Sequence, residues 1–382
     1  MRLDLQALAR GRGMTSRERL LAAYRCQPVD RAPIRVWGAD PWMKVWHPSY
    51  QPILDAALKY SDIVTGWGPH LNIFFSDLPD LQVHSEDRPS RHEGFVERVT
   101  TYETPRGPIS EVEAVSLENK PGRVLKFLVE NEEDALAFLS VPYIQPRPDV
   151  SPFFEMQQRL GERGLMTAYI GEPMYHVYCL MGSELMALWS IERRDLLRHL
   201  INTMADRMTA YVEYLLEQNV GPVFGYVGPE LCIPPLMSPR DFDEFVVRVD
   251  KRFTDQIRQS GGLIWVHCHG DMGPVIEGFL EMGVNCLNPI EPPPIGITMA
   301  EARRRVGNRM CLEGNIEADD LFRSTPEHIR ELVRQAIEQA RGGGLILCPT
   351  SGFMEWPTCN PEKVANYLAF IQAGLEFGQD FA

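Results

Sequence analysis

Two histidines stand at i and i+2 in Trp265-Val266-His267-Cys268-His269-Gly270, directly after the apolar run Gly262-Leu263-Ile264. A short apolar run bounded by glycine reads as a buried strand that ends at this point. Alternate residues of a strand share a face, so His267 and His269 can aim two imidazoles at one point while Cys268 turns the other way. A second apolar run, Gly344-Leu345-Ile346-Leu347, ends in Cys348-Pro349-Thr350-Ser351-Gly352. Two imidazoles and a thiolate are ligand types suited to zinc, and three protein ligands leave one position open for substrate. The competing reading makes His267 and His269 hydrogen-bonded core residues and Cys348 a small buried hydrophobe.

The elements that must position these residues repeat one unit of helix, short apolar strand and Gly/Pro loop. The capping box Thr15-Ser16-Arg17-Glu18 opens a first helix through Leu20, Leu21 and Tyr24. Apolar strands are predicted near residues 34, 62, 166, 223, 263, 285, 310 and 345, with helices in most connections. Ser238-Pro239-Arg240-Asp241, Thr325-Pro326-Glu327 and Asn360-Pro361-Glu362 read as helix starts, and a long helical region spans roughly Leu185 to Gln218. Residues 69–165 are too many for a simple crossover. Within them a β-hairpin is predicted around Pro105-Arg106-Gly107, then helices at about 132–139 and 152–160, as an inserted cap over one mouth. Alternating strands and helices imply a parallel sheet with right-handed crossovers. Eight such strands favour a closed (β/α)8 TIM barrel: one domain over 1–382, with an N-terminal helical extension and the insertion after the second strand.

A barrel gathers catalytic residues at the C-terminal ends of its strands. Asp40, Glu172, Glu230, His267, His269, Glu291, Glu313, Asn315 and Cys348 all fall there. A loop glutamate is ordinarily just solvated; the two histidines and Cys348 stand out because a barrel brings separate strand ends to one mouth. Trp37, Trp67, Phe353 and Trp356 lie near the same end, as a pocket lining or as core.

Composition excludes several classes. The chain has 382 residues, 44% of them apolar and 24% charged, as in an ordinary globular protein. A net charge of −14 argues against a nucleic acid or an anionic membrane as partner. Eight cysteines without a CxxC pair form a reduced, intracellular pattern. The start, Met1-Arg2-Leu3-Asp4-Leu5, carries no apolar signal core, and no 18-residue apolar run occurs, so the expected location is the cytoplasm. No GxGxxG follows the first strand, which disfavours a dinucleotide fold.

Several segments together resemble the uroporphyrinogen decarboxylase superfamily of barrels. They are Arg17-Glu18-Arg19-Leu20 through Val29-Asp30-Arg31-Ala32-Pro33, Ser238-Pro239-Arg240-Asp241-Phe242, the His267 loop, Asn288-Pro289-Ile290-Glu291, Arg305-Val306-Gly307-Asn308, Leu312-Glu313-Gly314-Asn315-Ile316 and Asn360-Pro361-Glu362-Lys363-Val364. The resemblance spans nearly the whole chain outside the insertion and implies the barrel. It also offers two chemistries. The decarboxylases resemble one another in an Arg-Gln-Ala-Gly-Arg loop after the first strand and a Gly-His-Gly after the last. Here those loops read Trp37-Gly38-Ala39-Asp40-Pro41 and Cys348-Pro349-Thr350-Ser351-Gly352, and a polycarboxylate substrate would lack basic partners. The zinc methyltransferases carry His-x-Cys after the fifth strand and Cys after the eighth. The match holds at His267 and Cys348, with His269 in place of the usual Cys; Cys268 is one position out of phase for that role, but a twist of the loop would let it serve as the ligand instead of His269.

The resemblance therefore implies a zinc-dependent methyltransferase, with one zinc per chain held by His267, His269 and Cys348. Glu230 would be a fourth ligand that substrate displaces. Trp37, Asp40, Glu172, Glu291 and Asn315 are expected to bind substrate, and a partner corrinoid protein would carry the methyl group. An imidazole in place of a thiolate makes the site one charge more positive, which favours Lewis-acid demethylation of an oxygen substrate over thiol alkylation. The other readings are a metal-free decarboxylase or lyase of the same superfamily, and a non-catalytic relative with a closed zinc site or none. Barrels of this type often pair, so a homodimer is admitted as well.

Overall fold

A computed structural model describes residues 13–118 and 120–381; the reading of Met1 to Leu5 lies outside them. Eleven strands occur among the described residues: β1 (Ile63–Trp67), β2 (Val83–Pro89), β3 (Phe95–Tyr102), β4 (Ile109–Ser116), β5 (Arg123–Lys126), β6 (Gly164–Tyr169), β7 (Val223–Val227), β8 (Leu263–His267), β9 (Cys286–Ile290), β10 (Cys311–Ile316) and β11 (Leu345–Pro349). Seven of them form one parallel sheet in the order β1-β6-β7-β8-β9-β10-β11. Each neighbour is the next strand of this sheet in sequence, joined through a helix-containing connection, and the β1 to β6 connection also carries the second sheet, so the sheet winds in one sense.

The strand expected at Ile34-Arg35-Val36-Trp37 is reduced to one bridge, Ile34 to Leu347. Pro33 has no N–H to extend the ladder, and the chain turns at once, with Ala39 N–H bonding Val36 O at 3.0 Å. The segment nonetheless bonds to both edges of the sheet. Arg35 N–H donates to Leu347 O (2.8 Å) on β11, Leu347 N–H to Pro33 O (2.9 Å), and Asp62 N–H, at the start of β1, to Ile34 O (2.7 Å). The sheet is thereby curled round, and seven strands with a single bridge stand where eight were expected.

Asp62 locks this closure. Its carboxylate accepts from Arg19 Nη1 (2.7 Å), Arg31 Nη1 (2.8 Å) and Ile34 N–H (3.0 Å). The Arg19 guanidinium also grips Asp30 at 2.6 Å. Burial alone would raise the Asp62 carboxyl, but the two guanidinium groups hold it below the usual range.

Helix burial follows position in the fold: Pro361–Phe377 is buried on most sides, while Pro326–Gln339 buries one stripe. In Pro326–Gln339 the buried residues Ile329, Val333, Ala336 and Ile337 recur at helical intervals. The capping boxes at Thr15 and Ser238 and the side-chain caps at Thr325 and Asn360 are all present. The long helical region is two helices, Pro173–Glu192 and Arg194–Glu217, and begins earlier than expected because Glu172 caps it. Inside the insertion the hairpin exists as β3 and β4, but it is the middle of a four-stranded antiparallel sheet, β2-β3-β4-β5. Helices at Glu132–Leu139 and Ser151–Leu160 follow. Tyr102 of β3 packs on Phe74, which stacks on Phe138 at 5.0 Å. All eight cysteines are free, and Cys286 and Cys311 are register partners on β9 and β10. No helix among the described residues is long and apolar enough to cross a membrane.

Candidate functional site

His267 ends β8 and His269 lies two residues on, in the loop before Gly270. Their rings stand edge to face, 4.5 Å apart at 90°. The Nδ1 of His267 lies 2.7 Å from Asn288 Oδ1 on the neighbouring strand β9. An amide oxygen only accepts, so Nδ1 carries the proton and Nε2 keeps its lone pair. Burial pushes the His267 imidazole down to about 4, which leaves it neutral across the physiological range. His269 Nδ1 donates to Glu291 Oε1 at 3.0 Å, and the other oxygen of Glu291 accepts from Gly270 N–H at 2.5 Å. The hydrogen bond to Glu291, with the charges of Glu291 and Glu230, raises the His269 imidazole. Burial would raise Glu291, but His269 and the Gly270 N–H hold it below the ordinary carboxylate range. Each imidazole is thus gripped at Nδ1 and offers Nε2, the arrangement by which protein acceptors orient metal-ligating histidines.

Glu230 follows β7 in the turn Pro229–Cys232. Its Oε2 is buried without a hydrogen-bond partner, and burial raises its carboxyl against the opposing pull of His269. Glu317, which the sequence reading passed over, lies just beyond β10 and adds a further negative charge felt by His269. Its Oε1 accepts from Thr350 Oγ1 and Ala318 N–H, while Oε2 is buried and unpartnered. Cys348 shares the charged neighbours Arg35 and Glu313 with His267. It is fully buried, and burial with the nearby Glu313 carboxylate drives its thiol well above the ordinary range. Cys268 is buried and its thiol is likewise raised by burial.

The remaining residues fall into separate places. Trp37 stacks on His267, with ring centroids 4.9 Å apart and planes 17° from parallel. Asp40 ties its own loop to β1, bonding Thr65 Oγ1 and accepting from Trp42 N–H at 2.7 Å. Glu172 is fully buried as a helix cap, accepting from Met174 N–H at 2.9 Å and Tyr175 N–H at 2.5 Å, and burial pushes it up to about 8. Asn315 lines a shallow cavity with Thr298, Asp320 and Gln335, beside the helix Pro326–Gln339. Trp67 packs on Phe153 and Phe353 on Tyr50, whereas Trp356 is about half exposed.

Zinc needs donors that converge, and here the fit is partial. The two imidazoles are prepared in tautomer and orientation, and Glu230 brings an orphaned buried oxygen. Among the described residues, however, no three His, Cys, Asp or Glu side chains are grouped so as to hold a metal ion. Three carboxylates, Glu230, Glu291 and Glu317, act on His269, whereas His267 feels the opposed charges of Arg35 and Glu313. Arg35, at the inner end, is committed to Glu313 at 2.6 Å.

A family model described as uroporphyrinogen decarboxylase (URO-D) matches residues 155–373. The chain is 25% identical over 202 residues to the uroporphyrinogen decarboxylase of Prochlorococcus marinus (strain MIT 9303), covering 50% of this chain and 54% of that protein. It is 26% identical over 164 residues to the methylcobamide:CoM methyltransferase MtaA of Methanosarcina barkeri, covering 43% and 45%. The chain thus spans about half the length of the curated relatives it matches. Among solved structures, a methyltransferase from Methanosarcina mazei superposes with a TM-score of 0.59 at 17% identity, over 96% of this chain and 99% of that one. That likeness speaks for the fold alone. The family match takes in β6 to β11 and with them His267, His269, Glu230 and Cys348: the chain belongs to the uroporphyrinogen decarboxylase (URO-D) family.

Proposed function

We propose that this chain is a metal-dependent methyltransferase of the family, moving a methyl group between a small substrate and a corrinoid carried by a partner protein. The observation that carries the reading is the pair of imidazoles, each fixed at Nδ1 by Asn288 or Glu291 and open at Nε2. His267 and His269 would hold the metal; Glu230 or Cys348 would have to move toward them to add a third donor, since no three such side chains are grouped among the described residues. A zinc ion bound there would supply Lewis acidity toward a methyl-bearing oxygen, nitrogen or sulfur. A likeness to the methylcobamide:CoM methyltransferase is consistent with that class.

The chain's own residues prepare this chemistry. Asn288 keeps His267 in the tautomer whose Nε2 can donate electrons, and burial keeps that nitrogen unprotonated at neutral pH. Glu291 likewise orients His269 by accepting from Nδ1 in a charge-assisted bond, although the same bond raises the basicity of that imidazole. The surrounding carboxylates and the committed Arg35 disfavour a substrate that arrives as a polycarboxylate. This is also what weighs against the second reading, a metal-free decarboxylase, which the decarboxylase relatives keep open.

The test is the metal content of freshly purified protein beside His267→Ala, His269→Ala and Cys348→Ala. About one zinc per chain, lost in the two histidine variants and kept in Cys348→Ala, supports the assignment. No metal, no uptake on adding zinc, and decarboxylation that survives chelation would overturn it in favour of the lyase. Demethylation of a methyl ether should exceed methylation of a free thiol; the reverse would remove the preference drawn from the His269 position.

A further inference from the structure

Beneath the two histidines lies a buried network that the proposed chemistry does not use. Arg35, on the segment that closes the sheet, and Glu313, on β10, are 278 residues apart in sequence, and Arg35 Nη1 meets Glu313 Oε1 at 2.6 Å. Glu313 is wholly buried and Arg35 is 5% exposed. The second oxygen of Glu313 accepts from Trp265 Nε1 at 2.8 Å. The Arg35 guanidinium carbon sits 4.3 Å from the ring centre of Trp37 and 5.4 Å from that of Trp265. The two indoles lie 5.7 Å apart and 22° from parallel. His267 is nearly parallel to both, 4.9 Å and 17° from Trp37, 5.9 Å and 23° from Trp265.

A buried ion pair is a poor source of stability, since well-packed apolar residues of equal volume often serve as well or better. Its presence here therefore calls for another explanation. The torsion that sets an imidazole plane is broad and roughly two-fold. One hydrogen bond at Nδ1 leaves His267 free to rock about that bond, whereas flat faces beside the ring remove the motion. The faces must themselves be fixed: Trp265 is pinned by its Nε1–H on Glu313, and Trp37 by the guanidinium spread over it. We propose that Arg35 and Glu313 are positioning residues for His267, setting the plane of its imidazole and the direction of its Nε2 lone pair through Trp37 and Trp265. The proposal rests on the reading of His267 as a working residue of the site, but its geometric part can be measured without it.

The experiment is NMR of the full chain labelled at histidine, with the His267 ring signals assigned by their loss in His267→Ala. Parallel indoles shift those protons upfield. In Glu313→Gln, Arg35→Lys and Trp37→Leu they should move downfield, toward an exposed histidine, and Trp37→Phe should restore most of the shift. His176, packed edge-on against Phe75 at 5.3 Å, reports the fold and should not move. Zinc dissociation constants, measured in parallel, should rise about 10- to 100-fold in the first three variants, as expected when a ligand loses its outer support. If a single charged replacement fails to fold, the apolar pair Arg35→Met with Glu313→Leu keeps the volume and should fold while losing the ring shift. Unmoved His267 signals in folded variants overturn the proposal. Shifts that move as expected in a protein that binds no zinc would instead uphold the positioning and remove the metal assignment.

Discussion

Removing the Asp62 carboxylate is the sharpest test of how the sheet is closed. Asp62 is fully buried and takes hydrogen bonds from two guanidinium groups and from the Ile34 N–H at 2.7 to 3.0 Å. Asp62→Ala takes that carboxylate from two buried arginines and leaves the Ile34 N–H without its acceptor. Breaking a buried charge pair costs roughly 3–5 kcal/mol, and an unsatisfied buried N–H adds roughly 1–3 kcal/mol. We expect Asp62→Ala to lose at least roughly 3 kcal/mol in urea unfolding, and Asp62→Asn to lose less because its amide oxygen can still accept from Ile34. The pH dependence has a definite sign. The Asp62 carboxyl is held below its usual value, so its contribution is present above the unfolded pKa and is lost as pH falls through the lower folded one. The gap between wild type and Asp62→Ala should be constant near neutrality and shrink at strongly acid pH. A loss under about 1 kcal/mol at pH 7 would refute the reasoning, because it would mean the arginines find equal partners elsewhere.

Three further outcomes follow from the same geometry. Glu291→Gln removes the charge that holds His269 and should weaken zinc binding about 10- to 100-fold in a competitive titration; unchanged affinity would exclude His269 as a ligand. Burial pushes His176 down to about 4, so the folded chain resists its protonation and stability should fall as pH drops from about 6.5 toward 4. That gap corresponds to roughly 3 kcal/mol, and His176→Gln should flatten this part of the stability curve. Gly164→Ala would place a Cβ 2.3 Å from the Ile63 carbonyl oxygen on the neighbouring strand; we expect a lower thermal midpoint, and an unchanged one would mean that β1 and β6 can separate without cost.

The fold was legible wherever local chemistry decides it. Thr15, Ser238, Thr325 and Asn360 announce helix starts because a side-chain oxygen satisfies an orphan N–H in each. β2 escaped because Val83-His84-Ser85-Glu86-Asp87-Arg88-Pro89 is exposed at every residue and lacks the apolar alternation that marks a half-buried strand. The start of the helix at Pro173 was hidden because Glu172 reads as a loop glutamate until its two accepted N–H bonds are seen. In the site, the i, i+2 spacing brought His267 and His269 together, as a strand end must. Asn288 and Glu291 were visible as residues, yet which of them holds which histidine depends on the register of β8 against β9. Arg35 and Glu313 did leave a signal: opposite charges in Ile34-Arg35-Val36 and Leu312-Glu313-Gly314, each inside an apolar run where an unpaired charge could not remain.

Closing the sheet through residues 33–35 also sets the order in which the site can come into being. The contacts around that closure join distant parts of the chain: Arg35 to Glu313 across 278 residues, Tyr50 to Trp356 across 306, Ser49 to Cys359 across 310. The entropy of closing such loops grows only with the logarithm of their length, so the finished structure carries little burden from it. The rate is another matter, because contacts at long sequence separation form late. On a ribosome, the first 150 residues emerge with the partners of Arg35, Tyr50 and Ser49 still unmade. The stacked indoles and the oriented His267 can reach their final arrangement only when Glu313 on β10 has arrived, and in a partly synthesised chain this cluster is therefore unassembled.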